Sequence, residues 1–264
     1  MNNVSGNGEG STEQLGSFRT ITRLFTILDI LSKNHGGLSL SAIARELQAV
    51  PKSSVFNLLK QMEKGHMLHY DHDTKVYRIG SGMIRLSSVI MHNYTLQPSA
   101  RPLLEKISKE TGEDAYLGIC DEQHIVYIDK VEGTQSIRLN IAVGVPRALH
   151  NTAIGKLFLA YMPEEWLQSV LDENSFIATA RNTITTSERM MEEIANIRAE
   201  QISISNEESI DGVFGIAAPI FNKQGEIAAG IGLSMPTRRA IDRLPFIKEI
   251  VLQTAAEISE MFGM

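Results

Sequence analysis

The stretch that decides the fold is residues 39–65, SLSAIARELQAVPKSSVFNLLKQMEKG. It predicts two short helices joined by a tight bend. The first helix, over residues 41–47, would begin after Ser39 or Ser41, since either hydroxyl can accept a hydrogen bond from an unpaired backbone N–H. The second would begin at Pro51, whose fixed φ suits a first helical position, and would end at the glycine that closes the stretch.

The second of these helices has two faces of opposite character. Its apolar residues recur at helical spacing and form one stripe, Val55, Leu58, Leu59 and Met62. The opposite face is polar and basic, holds no carboxylate, and comprises Lys52, Ser53, Ser54, Asn57, Lys60, Gln61 and Lys64. Such a face suits a helix placed in a DNA major groove. The alternative is an ordinary helical hairpin whose lysines only face solvent.

A predicted β-hairpin follows the helical pair. Residues 67–79, MLHYDHDTKVYRI, read as two short strands around an Asp-Thr-Lys turn. Helices followed directly by a small hairpin are typical of a winged helix-turn-helix, in which the hairpin lies against the phosphate backbone. Because Asp71 and Asp73 weaken the attraction for phosphate, Lys75 and Arg78 are expected to make most of the wing's contact.

Together these features predict a DNA-contacting surface. The major groove would be met by Lys52, Ser53, Ser54, Phe56 and Asn57, and phosphates by Lys60, Lys64, Lys75 and Arg78, with Ser39 completing the set. Because phosphate contacts release counterions, the logarithm of affinity should fall with the logarithm of salt concentration by about 0.9 per neutralised phosphate.

Charge is distributed unevenly along the chain. Residues 17–80 hold 9 Lys or Arg against 5 Asp or Glu, whereas residues 81–264 hold 16 against 24. A basic front part on a chain of net charge −6 indicates a nucleic-acid-binding module joined to something else. The length of 264 residues, 43% of them hydrophobic, is sufficient for two domains with cores of their own.

The remaining segments complete a domain division. Residues 1–16, rich in Gly, Ser and Asn, are predicted to be a disordered tail, followed by a DNA-binding domain at 17–79, a linker helix at 80–97 and a larger domain at 98–264. The first helix of the DNA-binding domain would pack through Ile21, Leu24, Phe25, Leu28 and Leu31. The apolar linker would suit burial against a second copy of itself.

The larger domain has the pattern of an antiparallel sheet with helices packed on its sides, an α+β fold of the sensor type. Strands are predicted at 115–120, 124–131, 137–143, 202–205, 212–221 and 226–235, and helices at 99–109, 151–161, 163–171, 187–200 and 241–261.

Several function classes are disfavoured. The chain has neither a run of about 18 apolar residues nor a signal-peptide pattern, and its one cysteine, Cys120, is expected to be a buried thiol in a reducing cytoplasm. The sequence has no nucleophile elbow, no His-Glu-x-x-His and no P-loop, so no catalytic residue and no cofactor is predicted. The spacing of His66, His69 and His72 matches no zinc motif, so no metal site is predicted.

Five motifs occur in a fixed order across both domains. They are the opening stretch extended to Leu68, YRIGSGMIRL (77–86), TGEDAYLG (111–118), VGVPRALHNTAIGKLFLA (143–160) and GVFGIAAPIFNKQGEIAAGIGLSMP (212–236). In this order they resemble the isocitrate-lyase-regulator (IclR) family of bacterial transcription factors. The resemblance implies a winged helix-turn-helix, a GAF-like effector-binding domain, homodimers or homotetramers on double-stranded operator DNA, and a small organic-acid or aromatic effector.

The resemblance also nominates an effector pocket. It comprises Leu139, Arg147, Ala153, Ile154, Gly155, Ser205, Val213, Gly215, Gly232 and Ser234. Independently of the family, backbone N–H groups at the start of the 151–161 helix can bind a carboxylate, assisted by the helix dipole. Glycines at 215, 230 and 232 would leave space above the sheet.

Three positions depart from the family pattern. Gly215 stands where the family often has Cys, which suggests a larger effector, and Ser205 stands where it often has an acidic residue. Asn57 replaces a common Arg, and since asparagine pairs best with adenine, it predicts contacts with A·T pairs.

Alternatives stay open for single residues and for the whole chain. Arg147 could bind a ligand carboxylate or lie on the surface, and His150 could bind effector or cap the following helix. The whole chain could instead be a sensor whose basic front part docks a protein, or a small-molecule enzyme with a regulatory appendage.

Overall fold

The computed structural model describes residues 9–48, 50–93, 96–139, 141–173 and 176–263. It divides into two units, residues 1–94 and residues 95–264. The first unit contains α1 (Glu9–Ser32), α2 (Leu40–Glu46), α3 (Lys52–Lys64), β1 (Leu68–Asp71), β2 (Val76–Ile79) and α4 (Ser81–Asn93). Strands β1 and β2 pair antiparallel, so a helical pair is followed by a wing, as the sequence predicts.

Local chemistry sets the ends of the two short helices. The Ser39 hydroxyl accepts a hydrogen bond from the Ala42 N–H at 3.3 Å and caps α2. Pro51 lies just before α3 rather than inside it, and its carbonyl oxygen accepts from Ser54 and Val55. The bend and both helix starts therefore follow from the residues of this stretch.

The core of the first unit joins α1, α2 and α3 to the wing. Its buried residues are Ile27, Leu31, Ile43, Val55, Leu59, Met62, Leu68 and Tyr77. The apolar face predicted for α1 is partly wrong, because Ile21 and Phe25 are 54% and 65% exposed while Ile27 is fully buried. Residues 21 and 25 lie to one side of the Leu24–Leu31 stripe, since each residue turns an α-helix by about 100°.

The predicted tail also needs correction. Residues 1–8 lie outside the described residues, but α1 already begins at Glu9, within the segment predicted to be disordered. Residues 9–15 include Glu, Gln and Leu, which favour helix, and no proline interrupts them. The glycine and asparagine bias that suggested disorder is concentrated before this helix.

The described residues of the second unit form ten helices and strands from α5 to β8, followed by two further helices. They are α5 (Leu96–Thr111), β3 (Asp114–Asp121), β4 (His124–Val131), β5 (Pro146–Ala148), α6 (Ala153–Tyr161), α7 (Glu164–Glu173), α8 (Ser187–Glu200), β6 (Ser203–Asn206), β7 (Val213–Phe221), β8 (Ile227–Pro236), α9 (Thr237–Ile241) and α10 (Leu244–Gly263). The sheet has six strands in the order β5-β4-β3-β8-β7-β6, and every neighbouring pair is antiparallel.

Helices cover both faces of this sheet. On one face, α5 and α10 pack against residues such as Leu117 and Ile231. On the other, α6 packs against residues such as Tyr116 and Ala217, and α8 packs on α6. Because side chains alternate along a strand, neighbouring residues 116 and 117 of β3 belong to different cores.

Two predicted elements of the second unit differ in the structure. The predicted strand at 137–143 is wrong: its described residues form no strand, and β5 pairs with β4 instead. Gly144 has φ +80° and donates its N–H to the Tyr127 carbonyl oxygen on β4. Strand β5 begins two residues later, at Pro146. The predicted 241–261 helix is interrupted between α9 and α10, because Pro245 has no N–H with which to continue α9.

Candidate DNA-binding surface and effector pocket

The outer face of α3 is open to solvent. Its exposed side chains are Lys52, Ser53, Ser54, Phe56, Asn57, Lys60, Gln61 and Lys64, opposite the buried Val55, Leu59 and Met62. Within the part of the chain that the structure describes, Ser53, Ser54 and Asn57 use their side chains in no hydrogen bond. These polar groups are therefore available to a ligand.

Some of the predicted DNA contacts also have partners within the protein. Arg78 donates from Nε to the Gly36 carbonyl oxygen at 3.1 Å, and its guanidinium lies 3.5 Å from the Asp71 carboxylate. Lys52 donates to the Ser41 hydroxyl at 2.8 Å. Lys75 is exposed at the tip of the wing and has φ +56°.

Asp71 orders the wing turn. Its Oδ1 accepts the N–H groups of Asp73 and Thr74, both at 3.0 Å. Hydrogen bonds, first that from Thr74, hold the pKa of Asp71 below its ordinary value. This carboxylate has a structural use in addition to the repulsion of phosphate expected from the sequence.

A pocket lies in the second unit between the sheet and the N-terminus of α6. It has a volume of about 480 Å³ including its open mouth. Eight of the ten predicted effector residues line it: Arg147, Ala153, Ile154, Ser205, Val213, Gly215, Gly232 and Ser234. Sequence reasoning missed other lining residues, among them Tyr116, Tyr127, Ile141, Thr152, Ser209 and Ile210.

Leu139 and Gly155 were predicted in the pocket but do not line it. The carbonyl oxygen of Leu139 lies 3.5 Å from the Tyr116 hydroxyl, and its side chain packs against the core on the α6 side of the sheet. A Cβ on Gly155 would lie only 2.3 Å from the Leu149 carbonyl oxygen. Gly155 therefore permits close packing behind the pocket.

The N-terminus of α6 presents free donors to the pocket. Thr152 caps the helix by accepting from the Gly155 N–H at 3.1 Å, while Lys156 donates its N–H to the Thr152 carbonyl oxygen. The N–H groups of Ala153 and Ile154, both pocket residues, have no hydrogen-bond partner within the described chain. Two donors at the positive end of a helix can bind an anion.

Arg147 contributes a cation to the same pocket. Its guanidinium carbon lies 5.8 Å from the centre of the Tyr127 ring. Its Nε is buried without a hydrogen-bond partner, and no carboxylate of the described residues forms an ion pair with it. Among the described residues that line the pocket, none is an aspartate or a glutamate.

Two tyrosines form the wall on the β3–β4 side. Their ring centres are 5.0 Å apart, and the Tyr116 hydroxyl lies 3.2 Å from the Asp114 carboxylate. Burial is the main cause that raises the pKa of both Tyr116 and Tyr127, so both phenols stay neutral. Strand alternation places residue 116 on the α6 side, a signal from which it could have been predicted.

A buried ion cluster lies behind the pocket and was not predicted. Lys156, fully buried on α6, donates to the carboxylates of Glu193 and Glu208, both at 2.8 Å, and to the Ile204 carbonyl oxygen. Burial raises the pKa of Glu208, while Lys156 lowers it. Glu208 directly precedes Ser209, so this cluster fixes the loop that closes one side of the pocket.

Three further expectations can be compared with the structure. Thr152, not His150, caps α6, and the His150 ring contacts the Ile177 carbonyl oxygen at 3.1 Å, outside the pocket lining. Cys120 is only partly buried. A Cβ at Gly230 would contact Ile154, whereas Gly215 has room for one at ordinary contact distance.

Two descriptions of known protein families match this chain. The family description "IclR helix-turn-helix domain" matches residues 20–72, and "Bacterial transcriptional regulator IclR C-terminal" matches residues 89–260. The chain belongs to the IclR family. This IclR-family protein is a transcriptional regulator with an N-terminal helix-turn-helix domain and a C-terminal α+β domain, as the sequence predicts, and it is not an enzyme.

Individual relatives agree with this assignment. The chain is 34% identical over 253 residues to the HTH-type transcriptional regulator BhcR of Paracoccus denitrificans, covering 96% of this chain and 89% of that protein. It is 31% identical to the crystal structure of Thermotoga maritima IclR, with a TM-score of 0.80 over 94% of this chain and all of that one.

A third relative shows the fold alone. It is an IclR homologue from Microbacterium hydrocarbonoxydans, crystallised with 4-hydroxybenzoate, 20% identical with a TM-score of 0.76 over 91% of this chain and 98% of that one.

No helix among the described residues is long and apolar enough to cross a bilayer.

Proposed function

We propose that this IclR-family regulator binds a small carboxylate effector in the α6 pocket and that binding changes its affinity for operator DNA. The observation that carries the proposal is the set of unpartnered donors in one pocket: the N–H groups of Ala153 and Ile154 and the Nε of Arg147. A buried guanidinium N–H without a partner is unfavourable, and a bound carboxylate would supply the missing acceptor.

The rest of the lining indicates what the carboxylate is attached to. Apolar contacts come from Ile141, Ile210 and Val213, and an aromatic wall comes from Tyr127. Serine hydroxyls at Ser209 and Ser234 supply polar contacts of their own. An aromatic or branched monocarboxylate suits this lining better than a polyanion, because only one cationic side chain is present among the described lining residues.

On the DNA side, α3 enters the major groove with its outer face. Lys52, Ser53, Ser54, Phe56 and Asn57 then meet base edges, and Lys60, Lys64, Lys75 and Arg78 meet phosphates. Ser39 acts through the cap it makes on α2, which supports α3 from behind. In this arrangement the partners of the wing within the protein orient Arg78 beside the phosphate backbone.

Coupling between the two functions requires two states with unequal affinity for effector. We propose that the protein is a cytoplasmic homo-oligomer, a dimer or a tetramer, in which the effector domains set the separation of paired DNA-binding domains. An effector that prefers one separation then shifts the population towards or away from the DNA-binding state.

The test is binding of small monocarboxylates, with 4-hydroxybenzoate as the first probe, to wild type and to Arg147→Ala. Loss of a charge-assisted contact of about 1.5–3 kcal/mol should weaken binding by at least tenfold. Arg189→Ala is the control, because Arg189 is exposed and pairs with Glu192 on α8.

The same samples are assayed for binding to DNA upstream of the protein's own gene. A carboxylate that raises the melting temperature of wild type should also change its DNA affinity, and both effects should need at least tenfold more ligand in Arg147→Ala. A ligand that binds without any change in DNA affinity would disprove the coupling. Equal binding of a carboxylate panel to wild type and Arg147→Ala would disprove the site.

A further inference from the structure

The outer surface of α3 carries one aromatic residue among its serines and lysines. Phe56 is 39% exposed, and the ammonium of Lys60 lies 5.6 Å from the centre of its ring. The ring lines a groove between α3 and the wing, together with Glu63, Tyr70 and His72. The ring is therefore accessible from solvent on the same side of α3 as the Lys60 ammonium.

Phe56 and Asn57 occupy different parts of the helix surface. The buried side of α3 is marked by Val55 and Leu59. Because successive residues of an α-helix are separated by about 100°, Asn57 lies nearly opposite that side, whereas Phe56 lies on the flank that faces the wing. With α3 in a major groove, Asn57 points to the middle of the groove floor and Phe56 to the edge of the floor on the wing side.

One base edge at the groove floor suits an apolar ring. Of the four bases, thymine alone presents a C5 methyl group in the major groove, and phenylalanine is among the side chains that contact it. The neighbouring Lys60 and Lys75 line the same groove and give it the positive charge that a DNA strand requires. A cation beside the ring also restrains it, so less conformational freedom is lost on binding.

We infer that Phe56 reads the 5-methyl group of a thymine in the operator. The inference rests on the proposed placement of α3 in the major groove and adds a base preference at one position to it. It makes Phe56 a specificity-determining residue, separate from the adenine preference expected of Asn57.

The test compares thymine with deoxyuridine, which differs only by the methyl group. Preferred duplexes are selected from a random-sequence library with the full chain, and each thymine is then replaced in turn by deoxyuridine. At one thymine, wild type should bind the deoxyuridine duplex about fourfold more weakly, the value for removing one buried methyl group. In Phe56→Ala this ratio should fall to about one.

Asn57→Ala is the matched control from the neighbouring position. It should weaken binding overall yet keep the fourfold ratio between thymine and deoxyuridine at the same base. Phe56→Gln is the second variant, since glutamine favours helix and lacks the apolar ring. Each ratio is measured within one variant, so a uniform loss of affinity does not affect it.

The outcomes separate the inference from the function on which it rests. The inference is overturned if Phe56→Ala or Phe56→Gln still binds the thymine duplex about fourfold more tightly than the deoxyuridine duplex. It is also overturned if wild type binds the two duplexes equally at every thymine. A selection that yields no preferred sequence overturns the placement of α3 itself, and the inference with it. A methyl dependence lost in both Phe56 variants and kept in Asn57→Ala supports it.

Discussion

Lys156→Met should lower the free energy of unfolding of the second unit by about 3–5 kcal/mol, the range for removing one partner of a buried ion pair. Lys156 is fully buried, and its ammonium lies 2.8 Å from both Glu193 and Glu208. These carboxylate side chains are only 26% and 10% exposed, so water cannot replace the lost cation well.

The free energy of unfolding lost in Lys156→Met should grow as pH rises. Burial and Glu193 raise the pKa of Glu208 above 4.5, and Lys156 opposes them. A carboxyl group with a raised pKa in the folded state favours folding below its unfolded pKa, and this contribution is lost as pH rises through the folded pKa. Without Lys156 the pKa rises further, so the gap between variant and wild type should widen as pH increases above 4.5.

The protein offers its own probe for this measurement. Trp166 is its one tryptophan, lies on α7 and packs against the core that contains α6 and α8. Urea unfolding followed by its fluorescence therefore reports the second unit. Lys248→Met is the control, because its partner Glu200 is 58% exposed and such a surface pair contributes about 0–1 kcal/mol.

Two results would refute this reasoning. One is a destabilisation by Lys156→Met no larger than that of the control. The other is a difference in the free energy of unfolding between variant and wild type that stays constant with pH. That result would mean that the unpaired negative charge is not on Glu208. The double variant Lys156→Met/Glu208→Gln should recover part of the loss, since it removes one of the two unpaired carboxylates.

Four further substitutions have expected outcomes. Ser39→Ala removes the α2 cap and should lower stability by about 1 kcal/mol, seen as an earlier urea transition of helical circular dichroism. Gly232→Ala would place a Cβ 2.6 Å from the Ile216 carbonyl oxygen. Gly232→Ala should lower the free energy of unfolding by about 1–3 kcal/mol. In Gly215→Ala the new Cβ would lie 3.6 Å from the Ala153 Cβ, so the urea unfolding transition followed by tryptophan fluorescence should change little. Lys64→Ala should reduce the salt dependence of DNA binding by about 0.9, and an unchanged slope in gel-shift titrations would remove it from the phosphate contacts.

Local structure in both units was predictable where short-range chemistry sets it. The capping serine before α2, the proline before α3 and the threonine before α6 each mark a helix start with a side chain or a fixed dihedral. The eight pocket residues that the family resemblance nominated lie together because two belong to the first turn of α6 and six to strands β5, β6, β7 and β8, on three of which α6 packs.

Two of the errors have one cause in common. Residues 137–143 carry the apolar pattern of a strand, yet the edge of β4 pairs with residues 146–148 instead. Ile21 and Phe25 fit a helical stripe, yet the neighbouring stripe is the one that the other helices cover. In each case the local pattern is compatible with two arrangements, and a distant segment selects between them.

The sequence by itself determined the order of helices and strands, the basic outer face of α3 and the division of charge between the two halves, because periodicity and capping act over a few residues. Tertiary structure decided which groups meet in the pocket. Tyr116 and Arg147 come from separate strands, and Lys156 meets a carboxylate 52 residues away along the chain. Such contacts depend on strand register and on the packing of segments that are far apart in sequence. No spacing within a short segment encodes them.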